Sequence, residues 1–398
     1  MDLPVDQAFT KALPKCELHA HLSGSISRTT LHEIWQKKKT STPNIILGDP
    51  AIALKPAGTF PTIISFFQIF NDYIYNLIND RESIAYATRA VIEDFRQDGV
   101  RYLELRTTPR EIPSAGVTRE EYVRIVLEAL EEYYQAQLND DTLNEEDQIE
   151  VHLILSIDRT MTASQADDIL DLAEKYQQGS AQKPPTPQPT PRTTTPPITP
   201  PQILGLDLCG NPTKGDISIF TPTFLRATQT PLKTTLHFAE IPHPNTPSEL
   251  PTLLSWSPAR LGHAINIPAP LKQQIRKNRI ALELCLSCNV LAGMTQGGFQ
   301  GHHFGEWFGD SSSSPGCAVA LGTDDVGVFE SALSNEYFLA AGAFGLGRGE
   351  VVGLARGAVG AAFGGEGRRR MGRLIEGFER RVGGGGWGVG GMIGGGMG

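Results

Sequence analysis

The stretch VHLILSID, at residues 151–158, is a near-continuous apolar run that ends at an aspartate. Such a run predicts a strand buried on both faces, as in a parallel sheet covered by helices. Seven further short, β-rich apolar runs recur along the chain, at residues 16–22, 102–107, 203–209, 234–239, 260–264, 281–289 and 318–324. The sequence therefore contains eight candidate strands.

The segments between several of these runs have the periodicity of amphipathic helices. Residues 83–98 place apolar side chains at helical spacing, and residues 119–137 are similar; the apolar set of the first segment is Ile84, Ala87, Val91, Ile92 and Phe95. With 398 residues, 40% of them hydrophobic, the chain could form one large barrel or two ordinary domains. Eight strand-helix units favour a (β/α)₈ TIM barrel over an open doubly wound sheet.

Two segments depart from this pattern. Residues 184–201 are rich in proline and threonine, which excludes a helix or a central strand, so we expect an exposed, disordered insertion between the third and fourth strands. Residues 364–398 form a tail rich in glycine and arginine, and the backbone entropy of so many glycines predicts disorder there as well. The predicted barrel domain thus spans residues 1–363.

Composition restricts the class of partner. A formal net charge of -9 and a pI near 5.5 disfavour a nucleic-acid partner, because phosphate binding needs clustered Lys and Arg. Five cysteines, an odd number, do not indicate a secreted disulfide framework. The N-terminal residues lack the apolar core of a signal peptide, and no apolar stretch is long enough to span a membrane. We expect a cytoplasmic monomer that acts on a small molecule.

Candidate metal ligands follow several of the predicted strands. His19 and His21 are two residues apart, so on a strand both imidazoles point to the same side. His237, His263 and the pair Asp324-Asp325 each come directly after an apolar run. The C-terminal ends of barrel strands meet around one mouth, where these side chains would converge. An HxH pair alone is two polar residues at a strand end as often as it is a pair of metal ligands. Together with His237, His263 and the aspartate pair, however, it predicts a metal site.

Three histidines and a carboxylate suit Zn²⁺, with one position left for a water. Glu240 lies three residues after His237, beyond the strand, where it could face the same site without binding the metal. A carboxyl group at that position can carry a proton between a nucleophile and a substrate.

Six motifs, in this order, resemble those of the adenosine/AMP deaminase family: PKCELHAHLSGSIS (14–27), GLDLCGNP (205–212), LHFAEIP (236–242), RLGHA (260–264), LELCLSCNV (282–290) and GTDDVGVF (322–329). The resemblance runs from about Pro14 to Phe363. YLELRTTPR (102–110) and GHHFGEWF (301–308) are most similar to the adenosine deaminase-like branch, the N6-methyl-AMP deaminases. The resemblance implies a zinc-dependent purine deaminase on a TIM barrel of the metal-dependent hydrolase type.

The resemblance also implies residue roles. One Zn²⁺ per chain would be bound by His19, His21, His237 and Asp324. Glu240 would protonate the purine N1 while an activated water attacks C6, and His263 would orient or deprotonate that water. Asp325 would hold the water and the purine N7, and the backbone N–H of Gly210 would meet N3.

For a nucleotide substrate, the resemblance places further contacts at the end of the second strand. These contacts are Thr107, Thr108, Pro109 and Arg110, with the Arg110 guanidinium as a natural partner of the phosphate. Ser23, Tyr75 and Asp158 fall at other ligand-contact positions, although Ser23 stands where the branch usually has Asn. We expect conversion of N6-methyl-AMP to IMP and methylamine.

Three alternatives remain open from the sequence. A deaminase of adenosine or adenine would share every metal residue. An inactive barrel that serves as a binding module is disfavoured by the intact HxH, His-x-x-Glu and TDD patterns. A hydrolase of another amide or ester is disfavoured by the motifs that indicate a purine substrate. Cys285 and Cys288 could form a redox or second zinc site, but on a strand they would face opposite sides, so core packing is favoured.

Overall fold

The computed structural model describes residues 3–41, 43–54, 63–177, 195–308 and 317–382. Eight parallel strands form one sheet in sequence order, each paired with the next. They are β1 Lys15–His21, β2 Val100–Thr107, β3 Glu150–Asp158, β4 Ile203–Cys209, β5 Lys233–Phe238, β6 Arg260–His263, β7 Ala281–Leu284 and β8 Val319–Leu321.

The barrel closes between the first strand and the segment after the last one. Ala20 and Asp324 form a parallel bridge, in which His21 N donates to Asp324 O over 2.9 Å and Asp324 N donates to His19 O over 2.7 Å. The predicted (β/α)₈ barrel is confirmed. Its closing bridge lies at the C-terminal mouth, beside three of the candidate site residues.

Helices alternate with the strands: α1 Gln7–Ala12, α2 Arg28–Ser41, α3 Pro50–Ala53, α4 Ile63–Ile69, α5 Tyr75–Leu77, α6 Arg81–Gln97, α7 Arg119–Leu138, α8 Ala163–Lys175, α9 Thr221–Ala227, α10 Glu249–Ser255, α11 Ala269–Asn278, α12 Leu286–Leu291, α13 Phe304–Phe308, α14 Val326–Phe329, α15 Leu333–Phe344, α16 Arg348–Ala361 and α17 Gly365–Val382. The predicted apolar face of α6 is buried, and a capping box between Asp80 and Ser83 fixes its start. No helix in the described ranges is long and apolar enough to cross a membrane.

The segment from α4 to α5 lies at the C-terminal mouth of the barrel. A π-helical turn, Phe70–Ile74, joins α4 to α5. Phe66, Phe70 and Tyr75 from this segment face the barrel mouth, where they line a cavity. The insertion after β1 thus supplies an aromatic cover that the strand pattern does not predict.

Two predicted strands are shorter than expected. The run at 281–289 ends as a strand at Leu284, because α12 begins at Leu286 and the Glu336 carboxylate accepts the Ser287 N–H over 3.0 Å at the start of that helix. The run at 318–324 ends as a strand at Leu321, and Asp324 has a left-handed φ of 58°. Both chain turns aim polar side chains into the barrel mouth.

The prediction of disorder from residue 364 onward is wrong for residues 365–382, which form α17. Met371, Leu374, Ile375 and Phe378 form a buried helical stripe, so apolar burial offsets the entropy cost of the glycines. Gly367 lies so close to Tyr102 that an added Cβ would be 2.2 Å from the ring. The remaining residues of the predicted tail, 383–398, lie outside the described residues.

The predicted insertion at 184–201 is described only from residue 195. There, Ile198 is buried and Thr199 Oγ1 donates to Glu150 Oε1 over 2.8 Å. The described end of the segment therefore packs against the start of β3, contrary to the expectation of exposure, because Ile198 provides an apolar anchor within the prolines. Residues 184–194 lie outside the described residues.

Candidate active site

Four histidines and an aspartate converge at the C-terminal mouth of the barrel. His19 and His21 lie on β1, His237 on β5 and His263 at the end of β6, while Asp324 follows β8. His21 Nε2 lies 3.1 Å from His237 Nε2, and Asp324 Oδ1 lies 3.4 Å from His19 Nε2 and 3.3 Å from His21 Nε2. The structure thus brings all five predicted side chains together.

Two overlapping groups of these side chains are close enough to hold one metal ion, with ligand atoms within 4.8 Å of one another. One group contains His19, His237, His263 and Asp324, and the other contains His21, Asp207 and His237. Proximity alone therefore does not separate the predicted ligand His21 from His263.

Carboxylates orient two of the imidazoles. His19 Nδ1 donates to Glu283 Oε2 over 2.8 Å, and His237 Nδ1 donates to Asp207 Oδ1 over 3.0 Å. With the proton on Nδ1, the Nε2 lone pair of each ring faces the mouth, which is the arrangement of metal-binding histidines. His19 Nε2 is buried and has no hydrogen-bond partner among the described residues. A cation would satisfy this buried lone pair, so the donor set fits a metal ion.

The buried carboxylates of the site are charged to different degrees. Burial alone would raise the pKa of Asp324, but the adjacent imidazoles of His19, His263 and His21 hold that pKa well below its usual value. Burial and the adjacent Asp324 charge raise the pKa of Asp325 well above its usual value. A Cβ on Gly24 would lie 1.5 Å from Asp325 Oδ1, so only glycine leaves room for this carboxyl. The two neighbouring aspartates are thus suited to different roles.

Glu240 enters the site because Ala239 turns the chain with a φ of 55°. Its carboxyl is buried, and Oε1 lies 3.9 Å from His263 Nε2. Burial raises the pKa of Glu240 to about 7. Glu240 can therefore exchange a proton near neutral pH.

A cavity of about 370 Å³ opens onto these groups. Among the predicted substrate contacts, its lining includes His21, Ser23, Tyr75, Thr107, Thr108, Asp158, Gly210 and Asp325. Gly210 has a φ of 101°, and a Cβ there would lie 2.5 Å from Asp158 Oδ2. A glycine is therefore required where β4 ends and the cavity wall begins.

Pro109 and Arg110 are not among the described residues that line the cavity. The Arg110 guanidinium lies over the Tyr75 ring, 4.1 Å from its centroid, and Nη2 donates to Ile78 O over 2.8 Å. In this structure the Arg110 side chain is engaged behind Tyr75, so the geometry does not support the predicted contact of Arg110 with a substrate phosphate.

The expectation that Cys285 and Cys288 pack in the core is confirmed, and Cys288 makes a further contact in the site. Because α12 replaces the end of the predicted strand, the Cys288 thiol reaches the cavity wall and donates to Asp324 Oδ2 over 2.8 Å. Cys285, at the start of α12, is fully buried, and neither cysteine forms a disulfide.

Sequence reasoning missed a layer of charged residues beneath the site. Arg106 is fully buried, where it donates to Glu283, to Asp207 Oδ1 over 3.2 Å and to Leu18 O over 2.9 Å. These residues neutralise one another below the histidines. A signal was available for two of them, because Asp207 and Glu283 each interrupt an otherwise apolar strand.

The comparisons with known proteins agree with this geometry. The family model for adenosine deaminase matches residues 14–182 and 188–377. The N6-methyl-AMP deaminase of Mus musculus is 36% identical over 345 residues, which is 85% of this chain and 84% of the relative. The chain belongs to the adenosine deaminase family.

Solved structures extend the similarity of this deaminase to three dimensions. The Arabidopsis N6-mAMP deaminase has a TM-score of 0.77 and 30% identity, covering 93% of this chain and 99% of that one. A crystal structure of Arabidopsis ADAL complexed with IMP has a TM-score of 0.78 and 30% identity, covering 94% of this chain and 99% of that one. Together with the family match, these similarities show that the chain is a hydrolytic deaminase.

Proposed function

We propose that this deaminase depends on zinc and converts N6-methyl-AMP, together with related N6-substituted AMP, to IMP and an amine. The observation that carries the proposal is the unpartnered, buried His19 Nε2, which lies beside His237 and Asp324. These two neighbours line the cavity together with Glu240. Relatives named N6-methyl-AMP deaminase support the substrate, because they match most of the chain.

His19, His21, His237 and Asp324 would hold one zinc ion. When bound, zinc supplies a water that is acidified to near neutral pH. Glu283 and Asp207 hold the rings of His19 and His237 in the required tautomer. Arg106 compensates the charge of these two carboxylates, so that they stay ionised without solvent.

Glu240 is the proposed proton carrier. A carboxyl with a pKa near 7 can donate its proton to the purine N1, which makes C6 electrophilic. The resulting carboxylate can then take up the proton of the oxygen that has bonded to C6 and pass it to the departing amine. His263, with Nε2 3.9 Å from Glu240 Oε1, would orient the attacking water by a hydrogen bond.

The purine ring would lie between the aromatic cover and the strand ends. The Gly210 N–H would meet N3, at the place where a side chain would collide with Asp158. The raised pKa of Asp325 favours the protonated carboxyl, which can donate to the N7 lone pair. Phe66, Phe67 and Phe70 provide apolar surface for the base.

The N6 substituent has an apolar wall beside the metal ligands. Cys288, Ala292 and Met294 line the cavity, and Cys288 contacts the Asp324 carboxylate. A methyl group on N6 would bury apolar surface there, whereas an unsubstituted amine would not.

The phosphate would lie toward the hydroxyl groups of Ser23, Thr107 and Thr108 and toward Lys214. Of the two basic side chains in the described cavity lining, Arg106 is buried and paired with carboxylates, whereas Lys214 is exposed. Lys214 therefore replaces Arg110 as the proposed cationic partner of the phosphate.

Ultraviolet spectra of the zinc-loaded enzyme, incubated in parallel with N6-methyl-AMP, AMP and adenosine, test the proposal. We expect the fastest conversion with N6-methyl-AMP, with one methylamine released per IMP formed, and about one zinc per chain by elemental analysis. Glu240→Gln provides the matched inactive control. Faster turnover of adenosine would instead assign a nucleoside substrate. Full activity of metal-free protein would exclude the proposed requirement for zinc.

A further inference from the structure

A buried chain of hydrogen bonds connects the start of α13 to the His263 ring. Phe304 N donates to His302 Nδ1 over 3.0 Å, His302 Nε2 lies 3.0 Å from Asn289 Oδ1, and Asn289 Nδ2 lies 2.9 Å from His263 Nδ1. His302, Asn289 and His263 are 3%, 0% and 2% exposed, so water does not compete for these contacts. Neither His302 nor Asn289 has a role in the mechanism described above.

The direction of every bond in this chain is fixed by its first member. A backbone N–H can only donate, so His302 Nδ1 must accept. A neutral imidazole then carries its proton on Nε2, and burial keeps His302 neutral by lowering its pKa to about 2. His302 Nε2 therefore donates to Asn289, which identifies the accepting atom as the amide oxygen.

The other end of the Asn289 amide agrees with this direction. Its nitrogen carries two protons and faces two acceptors, His263 Nδ1 and the Met294 sulfur at 3.8 Å. If the amide were flipped, its nitrogen would face the proton of His302, so that two donors would meet. Its oxygen would face the Met294 sulfur, so that two acceptors would meet. His263 Nδ1 thus accepts a hydrogen bond, and the ring proton must lie on Nε2.

We infer that His302 and Asn289 are positioning residues that lock His263 in its Nε2–H tautomer, so that this ring donates a hydrogen bond into the site and does not bind the metal. His19 and His237 have the opposite arrangement, because they donate from Nδ1 to carboxylates and present an Nε2 lone pair. This relay, the hydrogen-bond chain from His302 through Asn289 to His263, thereby distinguishes His263 from the metal ligands. The distances between the side chains do not make that distinction.

The surroundings of His263 Nε2 favour a donor. Glu240 Oε1 and Asp324 Oδ2 each lie 3.9 Å away, on a side of the ring that carries acceptor atoms. With Nδ1 occupied and Nε2 protonated, the neutral ring has no free lone pair with which to deprotonate water. The Nε2–H tautomer therefore makes His263 a hydrogen-bond donor that orients the water and leaves proton transfer to Glu240, an assignment that rests on the proposed function.

Nitrogen-15 NMR of histidine-labelled enzyme tests the inference independently of activity. The two ring nitrogens have distinct signals when protonated and unprotonated, and loss of one signal set in His263→Gln assigns His263. We expect wild-type His263 to be protonated at Nε2. In enzyme loaded with cadmium-113, His19 and His237 should show metal-nitrogen coupling through Nε2, and His263 should show none.

Variants of the relay complete the test. Asn289→Asp replaces the amide donor by an acceptor, so the His263 proton should move to Nδ1, with zinc content unchanged and kcat lowered by about 10²–10³-fold, as for loss of an aligned donor. His302→Leu should shift part of the His263 signal, because the freed amide can turn, whereas His302→Gln retains a donor and should restore the wild-type spectrum. His303→Gln is the matched control, since His303 stacks on His302 but contacts only the His263 carbonyl.

The inference is overturned if wild-type His263 is protonated at Nδ1, if cadmium couples to its Nε2, or if Asn289→Asp leaves the tautomer unchanged. None of these outcomes depends on which purine is turned over. A substrate other than N6-methyl-AMP would refute the proposed function while leaving the tautomer result in place.

Discussion

Replacing Glu336 by Gln should remove a pH dependence of stability that originates beneath the active site. Glu336 lies on α15 and is 1% exposed. Its carboxylate accepts the Ser287 N–H over 3.0 Å and the Ser331 hydroxyl, and so anchors the start of α12, which carries Cys288 and Asn289. Burial raises the pKa of Glu336 from 4.5 to about 7.

The sign and size of the effect follow from this pKa. Between pH 4.5 and 7 the folded protein holds a proton on Glu336 that the unfolded chain has released, so the free energy of unfolding falls as pH rises through this window. Each pH unit corresponds to about 1.36 kcal/mol, which gives a loss of about 3 kcal/mol above pH 7. Gln resembles the protonated acid and does not titrate. We therefore expect Glu336→Gln to match the wild type near pH 5 and to be more stable by up to about 3 kcal/mol near pH 8.

Urea denaturation of the two zinc-loaded proteins from pH 5 to pH 8 measures this difference, in which the contributions of other titrating groups cancel. Glu330→Gln is the matched control, because Glu330 is a surface residue paired with Arg28, and its substitution should give a small difference that does not vary with pH. A stability difference for Glu336→Gln that stays constant across the range would refute the argument.

Three further results are expected. Lys214→Met should lower kcat/KM for N6-methyl-AMP about tenfold and leave kcat/KM for nucleosides unchanged; this loss is at the lower end for a charged hydrogen bond, because Lys214 is exposed. Arg110→Met should affect both substrate classes alike. The reverse pattern in steady-state kinetics would restore Arg110 as the phosphate partner. Glu240→Gln should lower kcat by at least about 10² with zinc content retained, and near-normal turnover would exclude the proton-carrier role. Truncation after Gly364 should lower the melting temperature, because it exposes the apolar face that α17 covers; an unchanged melting transition in calorimetry would show that this packing contributes little.

The strand ends were predictable from the sequence because two kinds of pattern coincide there. A buried parallel strand is a continuous apolar run, so the first polar residue after it, such as His237 or Asp324, marks the barrel mouth. The contacts of Arg110 were not predictable in this way. Its partner Tyr75 lies in a segment that precedes β2, and no sequence spacing shows that this segment folds back over the end of β2.

The tail was mispredicted for a related reason. Glycine content measures the entropy cost of ordering a segment but not the burial that offsets it. In α17 the apolar side chains have the spacing of one helix face, and Arg370 is buried beside them, where it donates to the carbonyls of Arg101, Glu145 and Gln148. Arg101 lies at the start of β2, and Glu145 and Gln148 precede β3, so these acceptors are far away in sequence and the partner surface becomes visible only in the fold.

The backbone at the barrel mouth shows why the site residues cluster as they do. Ala239, His263, Ala264 and Asp324 all have left-handed φ values between 54° and 61°, a conformation that costs about 1–2 kcal/mol for a residue with a Cβ. The turns at Ala239 and Asp324 follow strands and directly precede Glu240 and Asp325, which line the cavity. The cost is offset locally: the Asp324 backbone closes the barrel through hydrogen bonds to β1, and the His263 carbonyl accepts from His303 Nε2 over 2.6 Å. The bonds that close the barrel therefore also aim the Asp324 carboxylate at His19 and His21, so that a substitution which relaxes this turn should weaken the proposed metal site and the fold together.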